Sequence, residues 1–109
     1  MNAQLCLCSC PDADSAGRIA DALVDARLAA CVQILPGATS VYRWQGKVER
    51  ASETLLLTKT TRDRSAALTA RIADLHPYDT PEIIVIDIAD GLPAYLDWIA
   101  RETAPGDRT

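Results

Sequence analysis

ACVQILPGATSVYRWQGKVERASETLLLTKTT, running from Ala30 to Thr61, is the stretch that decides the fold. Its first arm, Ala30 to Gln45, is rich in residues that favour a pleated backbone, Val32, Ile34, Val41, Tyr42 and Trp44. Pro36-Gly37 interrupts it, and a bulge or bend is expected there. Gly46 permits a tight turn with Gln45 or Lys47, after which Val48 to Thr61 returns as the second arm. The Leu55-Leu56-Leu57 run in that arm predicts burial on both faces. Arms of about fifteen residues at about 3.3 Å per residue reach roughly 50 Å, whereas a domain of this length has a radius of gyration of about 13 Å. The far half of the hairpin is therefore expected to project, and a ribbon carrying Val41, Tyr42 and Trp44 is expected to be buried against further copies of the chain.

On either side of the hairpin the hydrophobic period alternates between two and about three and a half. Leu5 to Cys10 reads as a strand stopped by Pro11. Asp14 or Ser15 can then cap a helix placing Ile19, Ala20, Leu23, Val24 and Leu28 on one face and ending near Leu28. After the hairpin a second helix is expected from about Asp63, with Leu68, Ile72 and Leu75 inward, stopping at His76 because a residue before proline disfavours α geometry. Pro77 and Pro81 bracket a stiff loop, Ile83 to Ile88 is an apolar strand, and Leu92-Pro93 opens a short C-terminal helix. Strand, helix, strand, strand, helix, strand is the ferredoxin-like α+β arrangement, with strand order fourth, first, third, second. Its edge strands invite pairing with another chain, and closed rings are the natural assembly of identical chains. A single domain is expected over residues 1–103, followed by a loose tail at 104–109.

The totals narrow the function classes. At 109 residues the chain suits one domain. A net charge of −4 leaves no excess of Lys and Arg to neutralise phosphates, which argues against nucleic acid as a partner. No tract is long and apolar enough to span a bilayer, and Met1-Asn2-Ala3-Gln4 lacks the basic region of a secretory signal, so a cytoplasmic location is expected. In that reducing compartment Cys6, Cys8, Cys10 and Cys31 read as free thiols or metal ligands, and they lack the paired spacing of a structural zinc site.

Several segments in order, Arg27-Leu-Ala-Ala-Cys31-Val, Leu35-Pro-Gly-Ala-Thr-Ser40, Tyr42-Arg-Trp-Gln-Gly-Lys47, Lys59-Thr-Thr61, His76-Pro-Tyr78 and Thr80-Pro-Glu82, resemble the CutA-type divalent-cation tolerance proteins. The resemblance spans nearly the whole chain. It implies a ferredoxin-like homotrimer, a link to copper and other metal tolerance, and three metal ligands at Cys8, Cys31 and His76. Cys6 and Cys10 lie outside that pattern and alternate onto the same strand face as Cys8.

Thiolate and imidazole suit copper or zinc and suit magnesium or calcium poorly. Each cysteine can equally serve as a small core hydrophobe, and His76, the only histidine, can equally cap the preceding helix. The crossover between the first two strands makes them parallel, so Cys8 and Cys31 are expected at opposite sheet ends. His76 then pairs with Cys8, and Cys31 needs another subunit or a separate site.

Lys59, Thr60, Thr61, Arg62 and Arg64 before the second helix could hold a small anion, or could be ordinary capping and solvated charge. Tyr42, Trp44, Tyr78, Tyr95 and Trp98 read as packing or interface residues. Glu49, Glu53, Asp79 and Glu82 bring no positioned nucleophile and base, and no catalytic motif is present, so no enzyme and no organic cofactor is expected. Two functions follow as expectations: a homotrimer binding copper or other divalent cations in metal tolerance, or a regulatory module whose clefts between subunits take an anionic metabolite or a partner protein.

Overall fold

Alternation along Ala3–Cys10 (β1) builds the centre of the molecule: Cys6, Cys8 and Cys10 face one side, Leu5, Leu7 and Ser9 the other. In this computed structural model, which describes residues 2–105, β1 lies between Lys47–Thr61 (β3) and Ile83–Asp87 (β4), antiparallel to both. Cys31–Trp44 (β2) pairs antiparallel with β3, and the sheet order β2-β3-β1-β4 is the ferredoxin-like one expected. The expected tail at 104–109 lies, from residue 106 on, outside the described residues.

Two helices cover one face. Asp12 caps Ala13–Asp25 (α1), its carboxylate accepting the Ser15 amide at 2.8 Å, so the cap stands earlier than Asp14 or Ser15. The helix ends at Asp25 rather than near Leu28. Arg27 takes a left-handed φ of 58°, and the amides of Arg27 and Leu28 donate to the Val24 and Leu23 carbonyls, a Schellman closure built without glycine. Ser65–Leu75 (α2) begins two residues later than expected, with no side-chain cap, and stops at His76, which is extended before Pro77. Cys6, Cys8, Cys10 and Leu56 of the sheet pack with Ala16, Ile19 and Leu23 of α1 and Leu68 and Ile72 of α2 in the main core. Pro93–Thr103 (α3), opened by proline at its first turn, closes the opposite sheet end through Ile99 against Ala3 and Ala30.

The hairpin matches its expected geometry. Gln45 and Gly46 both have positive φ, 49° and 80°, as a two-residue primed turn requires. The register shifts between Leu35 and Ala38, with Gly37 at φ 85°, so Pro36-Gly37 is the bulge. Pairing between β1 and β3 stops at Cys10 and Thr54, so Lys47 to Glu53 is bonded to β2 alone and the ribbon projects from a molecule 50 Å long. The leucine run departs from expectation: Leu56 is fully buried under the helices, but Leu55 and Leu57 are half-buried. They belong to the face that no helix of this chain covers along its length, together with Leu5, Leu7, Leu35, Ile84 and Ile86.

Candidate functional site

At the Pro11 end of β1 the helix-covered face brings two thiols and the imidazole together. The ligand atoms of Cys8, Cys10 and His76 all lie within 4.8 Å of one another, and all three residues are buried. His76 reaches this point because Pro77 ends α2 there, while its own amide still donates to the Ile72 carbonyl at 2.8 Å. Both ring nitrogens are engaged. Nε2 lies 2.7 Å from the Ser9 carbonyl, and Nδ1 lies 3.1 Å from the Tyr78 amide. The amide can only donate, so Nδ1 accepts and Nε2 carries the proton donated to Ser9. The neutral ring thus fastens the 76–82 loop to β1, and a metal taking one ring nitrogen displaces one of these bonds.

The thiols differ in readiness to ionise. Cys8 is raised well above the ordinary cysteine range, first by its hydrogen bond with Cys10 and then by burial. Cys10 is lowered, because the Cys8 S–H stabilises its thiolate. Cys6 is pushed up to about 11 by burial and stands outside the cluster, as a core thiol. The two sulfurs titrate as a pair, and a metal that takes both must displace the protons they hold.

Cys31 does not join this group within one chain. It pairs with Lys59, three residues along β3 from the Leu56 that faces Cys8, or about 10 Å along the strand. Its side chain also belongs to the other sheet face, half-buried and close enough to raise Tyr95 of α3, whose burial is the larger cause. Of the three expected ligands the structure unites Cys8 and His76. Cys10 occupies the place beside them, and its signal in the sequence was the two-residue spacing from Cys8.

The open face carries a second concavity at the same sheet end. A cleft of about 620 Å³ lies between the hairpin and the 76–82 loop, lined by Ser9, Tyr42, Trp44, Glu53, Pro77, Tyr78, Asp79, Thr80 and Glu82. Tyr78 Oη donates to Glu53 at 3.0 Å and Ser40 Oγ donates to the other Glu53 oxygen at 2.6 Å. Burial and the Glu53 hydrogen bond push Tyr78 up to about 12, so it remains a donor. By contrast, the basic segment proposed for an anion is engaged internally. Lys59 bonds Gln33, Thr60 bonds the Leu28 carbonyl, Arg62 pairs with Asp87 at 2.8 Å, and Arg64 donates to the Arg27 carbonyl.

Comparison with known proteins agrees with this architecture. The family model described as CutA1 divalent ion tolerance protein matches residues 4–102. A "Divalent-cation tolerance protein CutA" of Thermus thermophilus is 49% identical over 100 residues, covering 92% of this chain and 97% of its own. The one from Pectobacterium atrosepticum is 44% identical over 98 residues, covering 90% and 89%. The crystal structure of CutA from Xylella fastidiosa superposes with a TM-score of 0.93 at 48% identity, covering 94% of this chain and 99% of that one. A structure from Archaeoglobus fulgidus, described as a periplasmic divalent cation tolerance protein, gives 0.89 at 36% identity, covering 93% and 98%. With the family model matching residues 4–102, 49% identity to a curated relative and near-complete superposition at a TM-score of 0.93, the chain belongs to the CutA1 divalent ion tolerance family.

Proposed function

We propose that this chain is a binding protein rather than an enzyme, a cytoplasmic homotrimer that contributes to divalent-cation tolerance by taking up thiophilic metal ions, copper foremost, at Cys8, Cys10 and His76. The observation that carries this reading is the convergence of two thiols and one imidazole within 4.8 Å. Two sulfurs and one nitrogen suit copper or zinc, and the set lacks the oxygen ligands that magnesium and calcium require. The four cysteines are free, which suits a reducing compartment. The metal would be cargo held by Cys10, Cys8 and one His76 nitrogen, and its uptake would release thiol protons.

Assembly is supported by the uncovered sheet face, where Leu35, Ile84 and Ile86 are exposed beside half-buried Leu55 and Leu57, and by the projecting ribbon with Trp44 at its end. Contiguous apolar surface of this kind marks an interface between chains. Light scattering is expected to give about three times the 11.8 kDa chain mass; a stable monomer overturns the trimer.

Competition against a copper(I) chelator in reducing buffer tests the metal reading. One copper per chain is expected, with affinity falling at least about tenfold in Cys8→Ala and in Cys10→Ala and unchanged in Cys31→Ala. Copper binding that is absent from the parent protein, or unaffected in a Cys8→Ala, Cys10→Ala double variant, overturns it.

A further inference from the structure

Tyr78 is the point from which the loop between α2 and β4 hangs. Its amide donates to His76 Nδ1 at 3.1 Å and its hydroxyl donates to Glu53 at 3.0 Å. Among the described residues, 77–82 make no other hydrogen bond to the rest of the chain, and Pro77 and Pro81 have no N–H to offer. The Tyr78 amide is thus the first donor after the end of α2, and the two rings it joins stand with centroids 4.9 Å apart. We propose, on the basis of the thiol–imidazole metal site described above, that occupancy of that site and the Tyr78 amide bond exclude one another, so that metal uptake unties the 76–82 loop from His76.

The exclusion follows from the protons and lone pairs of one ring. Nδ1 gives its lone pair to the Tyr78 amide, and Nε2 gives its proton to the Ser9 carbonyl at 2.7 Å. If Nδ1 is the ligand atom, its lone pair is taken and the amide loses its acceptor directly. Nε2–H then stays on Ser9, the backbone-carbonyl contact usual for a ligating histidine. If Nε2 is the ligand atom, it sheds its proton, and the ring carries its remaining N–H on Nδ1. That N–H meets the Tyr78 N–H donor to donor, so the amide must leave in this case too. Both routes end the same bond.

The other two ligands sit on backbone that cannot yield in this way, because Cys8 pairs with Leu56 and Cys10 with Thr54 in the sheet. Of the three, only His76 adjoins a loop held by so few bonds. Tyr78's second bond carries the change onward, since Glu53 lies next to Thr54, where β3 parts from β1 and the projecting ribbon begins. The exclusion holds whatever covers the loop from outside, because donor and acceptor are two residues apart in one chain.

Amide exchange measured by NMR on the nitrogen-15-labelled full chain in its native assembly, with and without one equivalent of copper(I) in anaerobic reducing buffer, is the test. In the metal-free chain, long-range nitrogen–proton correlations of His76 are expected to place its proton on Nε2. With copper bound, exchange of the Tyr78 amide is expected to speed up about tenfold or more, while the sheet amides of Cys8 and Leu56 exchange no faster. A ligand that merely stabilised the fold would slow all three. Copper that binds, with affinity lost in a Cys8→Ala, Cys10→Ala variant, yet leaves Tyr78 exchange unchanged or slower overturns the exclusion and leaves the metal site standing. A proton found on Nδ1 in the metal-free chain also overturns it. Absence of copper binding removes the metal site and the exclusion together.

Discussion

The two faces of one sheet solve different problems. The face under α1 and α2 is sealed: Cys6, Cys8, Cys10 and Leu56 are all but inaccessible, and its polar groups are few and mostly satisfied. The other face is apolar along its middle, with Leu55, Leu57 and Ile84, and acidic and aromatic at one end. Burial on the first face changes chemistry by desolvation, raising Cys6, and it holds the His76 ring between two backbone groups. The second face keeps its groups wet within one chain, so its chemistry depends on what comes to cover it. Cys8 and Ser9 are adjacent in sequence yet belong to these two settings.

The contrast is broken most severely by placing a charge on the open face. Leu57→Glu is expected to cost several kcal/mol of assembly free energy, because an unpaired carboxylate would be buried between chains. Light scattering should then show a monomer that keeps parental circular dichroism, since Leu57 is outside the sealed core; unchanged mass would mean this face is not the interface. Next comes His76→Ala, which leaves the Tyr78 amide without its ring acceptor and the Ser9 carbonyl with only the weak Cys8 S–H contact at 3.8 Å. A loss of about 3 kcal/mol in urea unfolding is expected. A midpoint equal to the parent's would show that the ring fastens nothing.

A smaller effect should appear in alkali, where the folded state resists ionising Cys6. A raised pKa favours the protonated folded form, so this contribution is fully present below pH 9.0 and is lost as pH rises through about 11. Stability measured across that window should fall less steeply in Cys6→Ala than in the parent. The smallest change is Thr58→Val. Thr58 is fully buried and its hydroxyl has no partner among the described residues, so the substitution should raise stability by about 1 kcal/mol, read as a higher urea midpoint.

Much of the fold was legible because local patterns and long-range packing agree. Gly46 at the turn, Pro36-Gly37 at the bulge and Pro77 after α2 each impose a backbone geometry that no neighbour needs to supply. The end of α1 was not legible: Arg27 takes the left-handed conformation usual for glycine, while its guanidinium bonds the Glu102 carbonyl and its own carbonyl accepts from Arg64. Those partners are 75 and 37 residues away, so no local signal carries them. The double burial read from Leu55-Leu56-Leu57 failed within one chain because a run of leucines does not say which face the helices will cover.

The candidate site divides in the same way. Alternation along β1 put Cys8 and Cys10 on one face, and the crossover between parallel strands separated Cys31, both by rules internal to strands and their connections. That His76 would meet these thiols with both ring nitrogens already bonded was decided by the close approach of α2 to β1. The acidic, aromatic cleft likewise joins the far hairpin to the 76–82 loop. Sequence alone determined the elements, their order and which side of β1 each residue takes, because those follow from backbone sterics and period. Tertiary structure decided which groups touch, which thiols titrate together and where charge collects, because distance and burial set the strength of every electrostatic interaction.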